Sequence, residues 1–168
     1  MGVTLIVDGY NMLFAREGSP RDLEAAREEL AELLALYRKA KAHQVTLVFD
    51  AMHAPSFGAR SDRIRGIPVV YSPHGVTADA VIVEMARKLG AKAVVVSSDR
   101  AIQDRVRSSG AGFISSADFS RKLTEALYES MGKGEGADSG EPGRNRKKGP
   151  ARRLTKAKRT LLKKREKL

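Results

Sequence analysis

The fold of this chain is decided by Val3-Thr4-Leu5-Ile6-Val7-Asp8-Gly9-Tyr10-Asn11, a stretch close to its start. The first five of these residues are mostly apolar and β-branched, which predicts a short buried strand. Asp8 stands where that strand ends, Gly9 opens a turn, and Asn11 follows three residues after the aspartate. Because ligands of open α/β sheets bind beyond the carboxyl ends of the strands, Asp8 and Asn11 are candidate site residues.

Further carboxylates follow other predicted strands at the same relative position. The apolar stretch 45–49 runs into Asp50, and the stretch 92–98 runs into Asp99. Asp79 falls in the first turn of a predicted helix. Each aspartate alone has an ordinary explanation as a helix cap or as a complement to the helix dipole. Together they predict a shared site, because right-handed crossovers would place the strand ends along one edge of a sheet.

Strands and helices alternate along residues 1–130, and four helices lie between and after the strands. The predicted strands are 3–7, 45–49, 67–71, 92–98 and 112–115. Alternation of this kind, with strands apolar on both faces, predicts an α/β fold with a mostly parallel five-stranded sheet and helices on each side. We expect Ser19 to cap the first helix and Ser116 to cap the last.

The segment 51–66 has no clean hydrophobic period and is predicted as a long functional loop. It carries Arg60, Arg63 and Arg65. These arginines either contact the phosphates of a nucleic acid or are simply solvated, and the sequence favours neither reading.

Charge is strongly segregated along the chain. Residues 144–168 hold 13 of the 31 lysines and arginines and one glutamate, a net charge of +12, whereas residues 1–143 hold 18 basic and 19 acidic residues. The stretch 131–143 is rich in Gly, Glu, Asp, Ser and Pro, which is typical of a flexible linker. We therefore expect a nearly neutral domain over 1–130, a linker over 131–143 and a polybasic tail over 144–168.

A segregated basic segment of this kind usually binds nucleic acid or another anionic surface. Leu154, Leu161, Leu162 and Leu168 fall roughly on one helical face, so we expect the tail to become helical on a polyanion. The tail residues predicted to contact RNA are Arg146, Lys147, Lys148, Arg152, Arg153, Lys156, Lys158 and Arg159.

Several classes of protein are excluded by residues that the chain lacks. It has no cysteine, so disulfides and thiolate sites are excluded. It has no Gly-rich loop ending in Gly-Lys-Ser/Thr, which excludes the P-loop enzymes. It has no G-x-G-x-x-G after the first strand, so dinucleotide binding is unsupported. No signal peptide is visible and no stretch is long enough to span a membrane, so we expect a cytoplasmic protein.

The grouped aspartates indicate a metal-dependent reaction. Carboxylates brought together repel one another unless a cation neutralises them. A set of oxygen ligands without sulfur favours a hard cation, Mg²⁺ or Mn²⁺. Such ions activate water and stabilise phosphoryl transition states. The predicted reaction is therefore phosphodiester hydrolysis, and the polybasic tail suits a polyanionic substrate.

Four motifs carry a resemblance to the YacP-like branch of the NYN domains, bacterial relatives of the PIN-type nucleases. They are Val7-Asp8-Gly9-Tyr10-Asn11, Val48-Phe49-Asp50, the stretch from Val70 to Asp79 and Val96-Ser97-Ser98-Asp99-Arg100. The resemblance covers roughly residues 3 to 130, in order and at matching spacing, and the tail is expected to lie outside it. It implies a PIN-like, Rossmann-like three-layer sandwich.

The resemblance also implies a function and roles for individual residues. The expected activity is that of a metal-dependent endoribonuclease acting on mRNA in association with the ribosome. Asp8, Asp79 and Asp99 would hold the metal, and Asn11 would orient a ligand or phosphate. Ser97 would support the metal ligands through its hydroxyl. Asp50 would be a further acidic member of the site.

Alternatives stay open at this stage. Tyr10 either stacks on an RNA base or packs in the core. The chain is either the endoribonuclease or a non-catalytic RNA- or ribosome-binding module that uses its basic tail. A DNA-directed nuclease of the same fold is a third possibility, because the chemistry of the backbone does not reveal the sugar.

Overall fold

A computed structural model of the chain describes residues 2–53 and 61–132. In these residues six strands and five α-helices form one α/β unit. The elements are β1 (Thr4–Asp8), α1 (Gly9–Glu17), α2 (Leu23–Lys41), β2 (Gln44–Phe49), β3 (Ser61–Ile64), β4 (Ile67–Tyr71), α3 (Ala78–Leu89), β5 (Ala93–Val96), α4 (Arg100–Arg107), β6 (Gly112–Ile114) and α5 (Ser116–Gly132). None of the described helices is both long and apolar enough to cross a membrane.

The sheet has the order β3-β4-β2-β1-β5-β6, with β1 near its centre. Strand β1 pairs in parallel with β2 on one side and with β5 on the other. The pairs of β2 with β4 and of β5 with β6 are also parallel. The predicted mostly parallel sheet is therefore confirmed. The carboxyl ends of β1, β2 and β5 lie along one edge, as the sequence predicted.

The predicted number of five strands was wrong, because β3 lies within the segment 51–66 that was expected to be a loop. Its four residues are largely exposed and pair antiparallel with β4 at the edge of the sheet. A polar edge strand has no apolar run to signal it. The connecting residues Arg65 and Gly66 both have positive φ, 53° and 78°. Positive φ at both positions is characteristic of a tight two-residue hairpin turn.

Helix α1 was also missed, since only a turn was predicted between the first strand and the helix start near Ser19. The helix follows β1 without a loop, and the Asp8 carboxylate caps it by accepting a hydrogen bond from the backbone N–H of Asn11. Asp8 therefore has a second role beside that of a candidate ligand. Met12 and Leu13 of this helix are buried in the core.

Two helix starts differ from their predicted positions. Asp22, rather than Ser19, caps α2 by accepting from the backbone N–H three residues later. In the same way Ser115, rather than Ser116, caps α5. Both corrections are local, because several residues able to cap stand side by side at these points.

The sheet is covered on both faces by helices, which confirms the three-layer architecture. One core cluster joins the sheet to α1, α2 and α5, and it includes Val7, Leu34, Leu47, Met12 and Phe119. The other joins the opposite face to α3 and α4, and it includes Ile6, Val48, Ile82, Val95 and Ile102. Successive residues of β1 and β2 thus enter opposite cores, as expected for strands buried on both faces.

The close approach between α1 and β2 gives a first prediction. A Cβ atom added at Gly9 would lie 2.5 and 2.6 Å from Cδ1 and Cζ of Phe49, whose ring is fully buried. We expect Gly9→Ala to lower the free energy of unfolding by about 1–3 kcal/mol, because the ring has no free space into which to move. Urea unfolding monitored by circular dichroism measures the change.

The matched control is Gly132→Ala, because a Cβ atom at that position meets no atom within 4 Å. This control should leave the stability nearly unchanged. Equal stability of the two variants would contradict the packing argument.

Candidate functional site

The Asp8 carboxylate is buried at the end of the central strand. It is only 8% exposed. Its Oδ2 accepts a hydrogen bond of 3.0 Å from the Ser97 hydroxyl, and its Oδ1 accepts one of 3.3 Å from the backbone N–H of Asn11. Two donors therefore fix the orientation of the carboxylate.

Ser97 connects the ends of β1 and β5. Its side chain is fully buried, and its Oγ donates to Asp8 and accepts from the backbone N–H of Asp99 at 3.2 Å. Its own backbone N–H donates to the carbonyl of Ile114. Ser97 thereby fixes the position of two of the aspartates predicted to bind the metal.

The other predicted aspartates begin helices beside this point. Asp99 caps α4, with Oδ1 accepting from the Ala101 N–H at 2.7 Å. Asp79 lies in the first turn of α3, after Thr77, which caps that helix. Asp50 follows β2, and its Oδ1 accepts from the Met52 N–H at 3.1 Å.

The four aspartates influence one another electrostatically. The pKa of Asp8 is raised to about 6, mainly by burial and also by the charges of Asp79 and Asp99, while its two hydrogen bonds act in the opposite direction. The pKa of Asp79 is raised mainly by burial, then by Asp99 and also by Asp50, whereas Arg105 lowers it. The structure therefore brings together all four of the carboxylates that the sequence predicted for the site.

Asn11 has a structural role that the sequence did not indicate. Its Oδ1 accepts hydrogen bonds from the backbone N–H of Ser98 at 2.8 Å and from the hydroxyl of Ser116 at 2.7 Å. Both lone pairs of this oxygen are used, so the amide nitrogen is the group of this side chain that can donate to a ligand. Neither serine could be matched to Asn11 from the sequence, because 87 and 105 residues separate them from it.

The donor set suits a hard divalent cation held partly through water. Within residues 2–53 and 61–132, no three side chains of His, Asp or Glu already form a compact metal cage. Mg²⁺ needs no such cage, since it keeps several waters and uses one or two carboxylates. Asp8, Asp79 and Asp99 are the residues that would provide such oxygen ligands. A cation would also offset the repulsion that raises the pKa of Asp8.

Tyr10 lies beside the carboxylates in a partly buried aromatic group. Its hydroxyl accepts a 3.1 Å hydrogen bond from Arg27, a buried arginine of α2. Its ring meets Phe49 edge-on at 5.0 Å and stacks on Phe14 at 6.3 Å between ring centroids. Packing is therefore part of the role of Tyr10. Phe14 was not among the predicted site residues, because α1 itself was missed.

Of the predicted RNA-binding arginines, Arg65 lies far from the carboxylates. The turn that holds it precedes β4, so it lies at the opposite edge of the sheet, and its side chain contacts Glu28 at 3.5 Å. Arg63, in β3, donates to the carbonyl of Gly66 in the same turn. Arg60 and all the tail residues predicted to contact RNA lie outside the described residues.

Comparison with known proteins identifies relatives of the chain. The family model described as "YacP-like NYN domain" matches residues 5–167. The match reaches further than the predicted limit near residue 130 and includes the basic tail, which was expected to lie outside the family pattern. No curated protein matches the chain.

Two solved structures have the same fold, and both are crystal structures of Rae1 (YacP) from Bacillus subtilis. The first, of a single-residue variant, is 25% identical over 82% of this chain and 87% of its own, with a TM-score of 0.65. The second is 26% identical over 79% of each chain, with a TM-score of 0.64.

The raised pKa of Asp8 predicts a specific dependence of stability on pH. Because the folded-state pKa of about 6 lies above the ordinary 3.8, the stabilising contribution is present below about pH 4 and is lost as the pH rises through 6. In EDTA, Asp8→Asn should therefore be more stable than the parent protein near pH 8, by on the order of 1–3 kcal/mol, and about equally stable near pH 4.

Urea unfolding at the two pH values measures this difference. The exposed Asp104 of α4, whose side chain is 74% exposed, provides Asp104→Asn as the control, which should show no such gain. If Asp8→Asn gained the same stability at both pH values, the raised pKa of Asp8 would be refuted as the cause of the gain.

The two hydrogen bonds accepted by Asn11 give another prediction. Asn11→Ala should lower the free energy of unfolding by about 2–3 kcal/mol, because it leaves the buried Ser116 hydroxyl and the Ser98 N–H without their acceptor. Ser116→Ala removes only one of the two donors and leaves Asn11 in place, so it should lose less stability. Urea unfolding measures both variants. Equal losses of stability would show that these hydrogen bonds are not the source of the stability lost in Asn11→Ala.

Proposed function

Because the chain belongs to the YacP-like NYN domain family, we propose that it is a metal-dependent endoribonuclease that hydrolyses phosphodiester bonds within RNA. The observation that carries the proposal is the buried Asp8 carboxylate, which shares one sheet edge with Asp79 and Asp99. Burying a carboxylate beside others is costly, and perturbed carboxylates of this kind concentrate at functional sites.

In this proposal Asp8, Asp79 and Asp99 hold Mg²⁺ or Mn²⁺. When bound, such a cation lowers the pKa of water and offsets the charge that develops on the phosphoryl oxygens. The chain itself supplies the orientation of the ligands. Ser97 and the Asn11 N–H fix the Asp8 carboxylate, and the Ala101 N–H fixes that of Asp99.

The remaining polar group of Asn11 suits the substrate rather than the metal. Its Oδ1 is already engaged by two donors, so its Nδ2 is available to donate to a non-bridging phosphate oxygen. Asn11 lies one helical turn after Asp8, which places the donor beside the carboxylates. Its role would be to position the phosphate for in-line attack by water.

The polybasic tail would supply affinity for the RNA. Its net charge of +12 would release counterions from the phosphates, which strengthens binding without sequence preference. We further propose that the substrate is mRNA, that cleavage takes place in the cytoplasm in association with the ribosome, and that ribosomal RNA is a surface for the tail.

A non-catalytic RNA-binding module is the competing function, and the segregated charge of the tail favours it. Such a module would bind RNA through residues 144–168 and would not need the carboxylates. The two functions therefore differ in which residues are essential.

The proposal predicts cleavage that depends on a divalent cation. Full-length protein should cut an end-labelled single-stranded RNA internally with Mn²⁺ or Mg²⁺ and should not cut it in EDTA. The double variant Asp8→Asn, Asp99→Asn should lose at least about 100-fold in rate, because it removes two of the three charges that hold the metal. Gel electrophoresis of the products measures the rate.

Asp104→Asn is the matched control, because it removes one carboxylate from α4 outside the site and should leave the rate unchanged. A single-stranded DNA of the same sequence separates RNA from DNA cleavage. Cleavage that persists in EDTA, or equal rates for the double variant and the control, would overturn the proposal.

If free RNA is not cut, the same pair of proteins is tested on translating ribosomes. RNA binding without cleavage there, lost when residues 144–168 are removed, would establish the binding module instead.

A further inference from the structure

A groove of about 480 Å³ opens beside the carboxylates, between the start of α1 and the end of β2. Tyr10, Phe14, Leu23, Asp50 and Met52 contribute to its lining, together with the short connection that precedes α2. Its size falls within the range of small-ligand sites. The nuclease proposal makes no use of Phe14, Met52 or the apolar part of this surface.

Two large apolar side chains in this groove are exposed to solvent. Phe14 is 49% exposed and Met52 is 85% exposed. Val76, at 40%, is the other large apolar residue that is exposed in the described part of the chain. An aromatic ring and a flexible thioether in the lining of one groove are suited to hold a flat ring.

The floor of the groove is held rigidly. The Tyr10 ring supports that of Phe14, and its hydroxyl is held by Arg27. The Arg27 guanidinium lies 5.5 Å from the ring centroid of Phe49, beneath the same group. Little motion of the Tyr10 ring would therefore need to be frozen when a ligand stacks here, and this favours affinity.

Asp50 joins the groove to the row of carboxylates. It lines the groove, its Oδ1 accepts from the Met52 N–H, and its charge contributes to the raised pKa of Asp79. The groove is thus continuous with the proposed cleavage site. A negative carboxylate in its lining disfavours a phosphate and favours a group that donates hydrogen bonds.

We propose that this groove binds one unpaired nucleobase of the RNA substrate, with Phe14 and Met52 against the base and Asp50 accepting a hydrogen bond from its exocyclic amino group. The inference rests on the proposed function for the identity of the ligand as RNA. Stacking on aromatic side chains is a general means of holding single-stranded bases. Aspartate accepts from the N4 amino group of cytosine, whereas uracil presents an oxygen at that position. Asp50 is therefore a specificity-determining residue that favours cytosine over uracil.

The test measures RNA binding rather than cleavage. The full-length protein is titrated, in EDTA and at raised salt, into a short single-stranded RNA that contains 2-aminopurine, whose fluorescence changes when it stacks. Residues 133–168 contain no aromatic residue, so contacts with the tail cannot provide stacking on an aromatic ring. Raised salt weakens the phosphate contacts made by the tail more than it weakens stacking.

Phe14→Ala should reduce the fluorescence change and weaken binding by about tenfold. The matched control is Val76→Ala, which shortens an exposed apolar side chain that does not line the groove and should bind as the parent protein does. Since Phe14 is half exposed, its loss should leave the fold intact, and circular dichroism verifies this.

Base preference tests the part played by Asp50. Oligocytidine should compete for the labelled RNA at least about fivefold better than oligouridine, and Asp50→Asn should bring the two to within about twofold. Equal competition by the two oligomers with the parent protein would overturn the role of Asp50.

Unchanged binding by Phe14→Ala would overturn the groove as a base site, as would a change in oligomeric state caused by that variant, which would assign the surface to a second copy of the chain. These outcomes are separable from failure of the nuclease proposal. A protein that never cuts RNA yet binds it through Phe14 would disprove the nuclease alone. A protein that cuts RNA with the same KM in Phe14→Ala would disprove the groove alone.

Discussion

The structure depends on one constraint, which is that a carboxylate is buried at the end of the central strand. Asp8 is flanked by β2 and β5, whose backbones pair with β1 on both sides. Taking its charge out of water is costly, and its pKa is accordingly raised. The hydroxyl of Ser97 and the first turn of α1 provide the hydrogen bonds that orient it. Helix α1 can therefore begin without a loop, because the same carboxylate that ends the strand also caps the helix.

Asn11 is the second point at which distant parts of the chain meet. It joins the start of α1 to the residue after Ser97 and to the first turn of α5. Asp8 and Asn11 thus connect the segments 8–11, 97–99 and 115–116 through a few short hydrogen bonds. Because these segments lie at the ends of strands and helices rather than in long loops, the candidate site is rigid. Asp8 and Asn11, which the sequence predicted as site residues, therefore also hold the fold together.

The sequence predicted the features that follow from repeated apolar patterns. Buried parallel strands must be apolar throughout, and an aspartate directly after such a run must lie at the ligand-binding edge. For this reason the placement of Asp8, Asp50 and Asp99 was predicted correctly. Asp79 does not follow a strand, and an aspartate in the first turn of a helix also has an ordinary electrostatic explanation.

The features that the sequence did not reveal depend on contacts or on ambiguous local signals. Strand β3 is polar and exposed, so only its pairing with β4 defines it. Helix α1 begins at a glycine, directly after the strand, where only a turn was predicted. The hydrogen bond from Ser116 to Asn11 spans 105 residues and leaves no local pattern. Phe14 gained significance only when α1 placed it beside Tyr10.

The distribution of charge explains how a site lined with carboxylates can bind RNA. Four carboxylates at one edge repel the phosphates that they are proposed to act on. Residues 1–143, with 18 basic and 19 acidic residues, supply no excess of positive charge to overcome this repulsion. A bound cation would reverse the sign of the field at the site itself, whereas the tail would attract the RNA from a distance. An apolar groove that engages an uncharged base would add a third contact that does not depend on the phosphates. The cation, the tail and the groove would contact different parts of one nucleotide chain. Each contact would therefore still contribute to binding where the other two are weak.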